Sequence, residues 1–187
     1  MAGDVRKTMV RSAVTLFRER GIAGTSLADI IEHSGAPRGS IYHHFPGGKN
    51  QLAAEATAWA GELMNRMIGK FDDPIELTRA LFEFWRAELT KDIQTSCPIV
   101  AAALGAAESV DAYRAAGEVF GKWERTIADL LVKRGVSGER AVSAATLLIT
   151  SIEGATVVAR ARQDIKALDR VEREMIRMLG HLLVDSA

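Results

Sequence analysis

Apolar residues recur at steps of three and four along almost the whole chain, and this spacing predicts helix after helix. Val10, Ala13, Val14 and Phe17 fall at i, i+3, i+4 and i+7, one face of a first helix. Gly21 and Gly24 punctuate its end. A short second helix is expected over 27–33, opened by Ser26 with Asp29 three residues on, a capping box with Asp in the place of Glu. Gly35 closes it. Pro37 suits the first turn of a third helix, where its missing N–H costs nothing, and that helix carries residues 38–45 before Pro46-Gly47-Gly48 breaks the chain.

Longer periodic segments follow. Leu52, Ala56, Trp59, Leu63 and Met67 predict a fourth helix over 49–71, which at about 1.5 Å per residue spans ~30 Å or more. Asp72-Asp73-Pro74 ends it and opens a fifth, marked by Leu77, Leu81, Phe84 and Trp85. After a break at 94–98 comes a short Ala-rich helix over 99–108. Val110, Tyr113, Gly117, Phe120, Ile127 and Leu131 define a seventh, ending near Gly135. Val142, Ala145, Ile149, Ile152 and Val157 define an eighth. Leu168, Val171, Met175, Met178 and Leu182 define a ninth. No strand alternation, hairpin signal or repeat competes with this reading. The expected fold is all-α: a three-helix head over 1–48, joined by the long fourth helix to a helical body over 49–187.

Composition adds bounds. A chain of 187 residues, 48% hydrophobic and 26% charged, holds enough apolar material for a packed core. No run of 18 apolar residues and no apolar leader core is seen, so no membrane association is expected and a cytoplasmic location is. The single cysteine, Cys97, excludes an intramolecular disulfide and speaks against a cysteine metal cluster. Net charge is zero, but the first 50 residues hold seven cations against four carboxylates, and three of the four histidines. A basic head on an acidic body suits nucleic acid at one end and another task at the other.

Two short helices around a Gly-containing turn form a helix-turn-helix pattern. Within residues 36–45, Ile41 and Phe45 stand four apart and can anchor one face. Arg38, Ser40, Tyr42, His43 and His44 are left outward. Arg38 can grip guanine or phosphate, the hydroxyls and imidazoles can donate to phosphate oxygens, and Gly39 lets the backbone come close. Thr25 and Ser26, at the start of the second helix, would seat a phosphate.

The stretch Gly24-Thr25-Ser26-Leu27-Ala28-Asp29-Ile30-Ile31, then 34–45 with Gly-Ser-Ile-Tyr-His-His-Phe and the downstream Lys49-x-x-Leu52, resembles the DNA-binding head of TetR-family repressors. The resemblance implies that Arg38, Gly39 and Ser40 face bases. It implies that Tyr42, His43, His44 and Lys49 hold the DNA backbone, and that Thr25 and Ser26 seat a phosphate. Pro37 stands where a serine is common, and Pro46-Gly47-Gly48 makes the linker one residue longer than usual. That insertion, with Ser96-Cys97-Pro98, resembles the LmrA/YxaF branch.

The resemblance further implies a palindromic double-stranded operator, a homodimer built on the last two helices, and release from DNA by a small apolar or aromatic inducer. Trp59, Leu63, Met64, Met67, Phe82, Trp85, Cys97, Phe120, Trp123, Ile149 and Glu153 are the candidate ligand residues; the alternatives are core filling for the aromatic and apolar ones, an inert buried thiol for Cys97 and the solvent face for Glu153. Ala145, Ile152, Leu168, Val171, Met175, Met178 and Leu182 are the candidate dimer residues, with burial inside one subunit as the alternative. No cofactor, metal site or catalytic residue is expected. Adjacent His43 and His44 diverge on a helix, Gly47-Gly48-Lys49 lacks the spacing of a phosphate loop, and no nucleophile–base pair stands out. An interaction module that has lost DNA binding is the remaining rival, and the exposed cations of the third helix argue against it.

Overall fold

The computed structural model describes residues 2–184, with side chains from residue 4. Among them are α1 (Ala2–Arg20), α2 (Leu27–Ser34), a 3-10 turn (Arg38–Ser40), α3 (Ile41–His44), α4 (Gly48–Ile68), α5 (Pro74–Lys91), α6 (Pro98–Leu104), α7 (Val110–Lys133), α8 (Gly138–Arg162) and α9 (Lys166–Val184). The described residues contain no strand. The fold is all-α, as the periodicity predicts.

Three boundaries differ from expectation for local reasons. The third helix is a 3-10 turn followed by a single α-helical turn, and Pro37 stands before it in extended conformation (ψ 134°) rather than inside it. The fourth helix stops at Ile68. There the chain tightens, with the Lys70 N–H donating to Met67 O (3.2 Å) and the Phe71 N–H to Ile68 O (3.3 Å). The sixth stops at Leu104, where Gly105 leaves helical geometry.

The chain forms two compact units, Met1–Met64 with Ser96–Phe120, and Asn65–Thr95 with Gly121–Ala187. Neither ends at residue 48: most of α4, all of α6 and the first part of α7 belong with the head. In this first unit Met9, Ala13, Leu16, Phe17, Ile22, Ile30, Ile41, Phe45, Leu52 and Ala53 are buried. The Asn50 carboxamide ties α4 to the start of α7: its Oδ1 accepts from the Ser109 hydroxyl (2.5 Å) and the Asp111 N–H (3.3 Å), while its Nδ2 donates to the Asp111 carboxylate. Ser96 does the same for α1 and α6, its hydroxyl donating to Arg18 O (2.7 Å) while Arg18 Nε donates back to Ser96 O (3.4 Å). The Ser96-Cys97-Pro98 motif thus has a structural account. Ser96 holds α1, Cys97 is buried at the α6 N-cap, and Pro98 opens the helix where no N–H is needed.

In the second unit α5, α8 and α9 pack together. Asp73 caps α5 by accepting from the Ile75 and Glu76 N–H groups (2.8 and 3.0 Å). Arg86 on α5 reaches both Asp169 (3.1 Å) and Glu172 (2.5 Å) on α9. Burial opposes the charge on Arg86, but hydrogen bonds and attraction from those two carboxylates outweigh it and raise its pKa above the ordinary value. One helix among the described residues, α8, is long and apolar enough to cross a membrane by length and composition alone. Its buried line Ala141, Ala144, Ala145, Leu148, Ile152, Ala155 and Ala159 is core, so its apolarity has a source other than lipid.

Candidate nucleic-acid interface

The Ser26–Asp29 capping box is complete. The Ser26 hydroxyl oxygen accepts from the Asp29 N–H (3.1 Å), and the Asp29 carboxylate accepts from the Ser26 N–H (2.7 Å) and from the Ser26 hydroxyl (2.7 Å). These bonds from Ser26, aided by Arg20 and Lys49, hold the Asp29 carboxyl below its usual range. At the other end of α2, Gly35 adopts φ 65° and donates its N–H to Glu32 O (3.2 Å), a left-handed cap that favours glycine. The chain is thereby turned sharply from α2 into the Pro37 segment.

That segment presents its polar side chains away from the core. Ile41 and Phe45 are 1% and 0% exposed, worth about 1.5–3 kcal/mol each when fully buried. Between and before them Arg38, Gly39, Tyr42 and His43 are exposed, and Ser40 and His44 half-buried. Tyr42 reaches 64% exposure. The Ser40 N–H and hydroxyl both donate to Pro37 O (2.9 and 2.6 Å), so one carbonyl closes the turn twice. The Phe45 N–H bonds Ile41 O (2.8 Å), and the Gly48 N–H bonds Phe45 O (2.8 Å). Gly48 has φ 61°, the left-handed geometry that lets α4 start immediately after the turn. Arg6 of α1 lies over the Phe45 ring at 4.9 Å, and His44 meets that ring edge-on. Lys49 follows in the first turn of α4, half-buried.

The outward set is Arg38, Gly39, Ser40, Tyr42, His43, His44 and Lys49: two fixed cations, two imidazoles, two hydroxyls and a stretch of open backbone, on one short ridge. Two of the expected residues do not fit this role. Thr25 is 0% exposed, and its hydroxyl donates inward to Gly21 O (2.9 Å) and Leu16 O (3.4 Å). A hydroxyl satisfied in the core cannot seat a phosphate. Ser26 is exposed, but its hydroxyl and N–H are both committed to Asp29, whose negative charge occupies the helix start.

The candidate ligand residues are distributed between the two units. In the first, Cys97 is buried, Trp59, Met64 and Phe120 are half-buried, and Leu63 is 51% exposed. In the second, Phe82, Trp85 and Trp123 are buried, while Met67, Ile149 and Glu153 are half-buried. The candidate dimer residues need correction. Ala145, Ile152, Leu168, Met175 and Leu182 are all buried within the single chain, because the strongest apolar stripes of α8 and α9 are used to build their own unit. Val171 and Met178 keep part of their surface. A second line on α8 has Leu147, Val157 and Val158 exposed beside Thr150, Gly154 and Ala161. Its signal was present: the 147, 150, 154, 157, 161 spacing is itself helical.

Two family models match the chain. Bacterial regulatory proteins of the tetR family match residues 10–56, and the C-terminal domain of LmrA/YxaF-like transcriptional regulators matches residues 74–174. An uncharacterized HTH-type transcriptional regulator of Mycobacterium tuberculosis is 39% identical over 181 residues, covering 93% of each chain. The HTH-type transcriptional regulator LmrA of Bacillus subtilis is 35% identical over 158 residues, covering 81% of this chain and 84% of its own. Among solved structures, a TetR-family regulator from Agrobacterium tumefaciens aligns with a TM-score of 0.81 at 20% identity over 95% of this chain and 98% of its own. One from Chloroflexus aurantiacus aligns with a TM-score of 0.75 at 25% identity over 96% of each. The matched proteins are regulators rather than enzymes. From head to body, the chain belongs to the TetR family of DNA-binding transcriptional regulators, on its LmrA/YxaF-like side.

Proposed function

We propose that this regulator is a cytoplasmic, homodimeric repressor that binds a palindromic operator through the ridge at 38–44 and Lys49, and releases it when a small apolar or aromatic molecule binds. The observation that carries the DNA reading is the division of one short turn into a buried pair, Ile41 and Phe45, and an outward cationic and hydroxyl set. Arg38 is the residue assigned to base edges, with Gly39 and Ser40 beside it. Tyr42, His43, His44 and Lys49 are assigned to phosphates.

One ridge of this size touches too few bases for tight, selective binding. Two related by a twofold axis would read half-sites about 34–36 Å apart or a multiple of that. The surface assigned to dimer contact is the exposed α8 line with Leu147, Val157 and Val158, supported by half-buried Val171 and Met178 on α9. Its small residues allow helices to approach closely. For the inducer, the second unit offers Phe82, Trp85 and Trp123 as apolar surface, and Ile149 and Glu153 at partly open positions. A ligand that favours an unsuitable head spacing by ~3 kcal/mol would weaken operator binding roughly a hundredfold.

The test is a fluorescence-anisotropy titration on a duplex from upstream of the regulator's own coding sequence. Binding should fall steeply with salt. Arg38→Ala should cost about 1–3 kcal/mol and blunt the distinction between operator and scrambled duplex. Unaltered affinity and selectivity in that variant would end the base-reading role of Arg38.

A further inference from the structure

Apart from the ridge, the first unit contains a second concentration of positive charge. A surface cleft of about 500 Å³ opens between α1 and α4, lined by Arg6, Lys7, Val10, Arg11, Glu55, Ala58 and Trp59. We propose that this cleft binds a small planar aromatic anion, a carboxylate or sulfonate on a fused or substituted ring.

The charges in the cleft are not balanced. Arg6 Nη2 pairs with the Glu55 carboxylate, whose other oxygen accepts from Gln51 Nε2 (3.0 Å), so that pair is closed. Lys7 and Arg11, one helical turn apart on α1, have no carboxylate partner among the described residues. Two like charges therefore face one cleft whose lining carboxylate, Glu55, is already held by Arg6 and Gln51. An anion between them relieves their repulsion and gains a charge-assisted hydrogen bond from each.

The rest of the wall is suited to a flat apolar body. Val10 and Ala58 line the cleft beside the indole of Trp59, which is half-buried and keeps part of its surface. The Arg11 guanidinium stands over the Trp59 ring, 5.9 Å from its centroid, at the outer limit of a cation–π contact. The volume is in the range that small-molecule sites occupy. DNA is the rival anion for these cations. Trp59, Val10 and Ala58 give nothing to a phosphate, and a recessed cleft does not follow a duplex surface. A compact anion with an aromatic body uses Lys7, Arg11 and the apolar wall together. This inference stands apart from the operator reading and from the inducer site assigned to the second unit.

Calorimetric titration of the full chain with 2-naphthoate tests it, with neutral 2-naphthylmethanol as control. Saturable binding of one naphthoate per chain is expected, at least fivefold tighter than the alcohol. The Lys7→Gln/Arg11→Gln double variant should weaken naphthoate binding tenfold or more, with an unchanged circular-dichroism melting curve. Trp59→Phe should abolish most of the accompanying fluorescence quench. Absence of binding by the folded chain at millimolar naphthoate overturns the proposal. So does equal binding of acid and alcohol, or full binding by the double variant. If the double variant instead lowers operator affinity with a shallower salt slope and wild-type chain takes up no naphthoate, these cations serve phosphates and the proposal is wrong.

Discussion

Gly39→Ala separates what the fold needs from what DNA needs. A Cβ built at Gly39 meets no other heavy atom within 4 Å, and its φ is outside the left-handed region. Nothing in the free chain therefore requires glycine there. Alanine at such a position restricts the unfolded chain and stabilises the fold by about 0.4–1 kcal/mol. The complex should respond with the opposite sign. If the backbone at 39 lies in contact with base edges, a methyl projecting about 1.5 Å beyond Cα must push the turn away. The cost should match that of overpacking a tight interface, ~1–3 kcal/mol, or roughly 5- to 150-fold in operator Kd. The salt slope should not change, because no charge is altered. Chemical denaturation followed by circular dichroism gives the first quantity, and anisotropy on an operator duplex gives the second. Operator affinity equal to wild type would refute close approach of the backbone. A loss of stability beyond about 0.5 kcal/mol would refute the open space around Gly39.

Other perturbations test the scaffold behind the ridge. Asp29 is held below its ordinary pKa in the folded chain, so the stability it adds is present above its unfolded value near 3.8 and lost as pH falls through the folded value. The urea midpoint of wild type should therefore exceed that of Asp29→Asn at pH 6, and the gap should narrow as pH drops below about 4; a gap that widens on acidification contradicts the capping geometry. Gly61→Ala places a Cβ 2.3 Å and 2.5 Å from the two methyl carbons of Val119, and should destabilise by about 1–3 kcal/mol even after the gain in helix propensity, with Val119→Ala restoring part of the loss. Equal denaturation midpoints for wild type and Gly61→Ala would show that α4 and α7 are not that close. Arg86→Ala should cost about 1 kcal/mol, since the group is partly exposed and screened, and a double-mutant cycle with Glu172→Gln should show coupling above ~0.3 kcal/mol.

Much of this fold is legible in the sequence because helices state their inward face by spacing. Capping is equally local, as Ser26 with Asp29 shows: the partners lie three residues apart and need no tertiary information. The Ile41 and Phe45 anchors follow from the same four-residue logic. What spacing does not say is who covers a face. Leu168, Met175 and Leu182 have the right periodicity for an interface between subunits, yet α5 and α8 of the same chain cover them. The position of Thr25 failed for a related reason. Hydroxyl groups before a helix can point either way, and its inward direction is set by carbonyls at Gly21 and Leu16. The second of these lies nine residues back on another helix.

Residues 96–120 belong to the same compact unit as the turn at 38–44. The recognition turn is one 3-10 turn and one α-helical turn, far too short to hold itself. Its anchors Ile41 and Phe45 are buried, Arg6 of α1 lies over the Phe45 ring, and the Gly48 N–H at the start of α4 bonds Phe45 O. Those helices are in turn fixed by groups distant in sequence: α1 at Arg18 by Ser96, and α4 at Asn50 by Ser109 and Asp111. The donors and acceptors in both ties are small, directional and partly buried, so a shift of an ångström breaks them. Ser96, Ser109 and Asp111 fall inside the stretch matched by the LmrA/YxaF-like C-terminal model, not the tetR-family head model. The helices that meet the turn are thus tied to residues on both sides of the division between the two family models. A change that displaced 96–111 would reach α1 and α4 through these hydrogen bonds, with no need to bend the linker at Pro46-Gly47-Gly48.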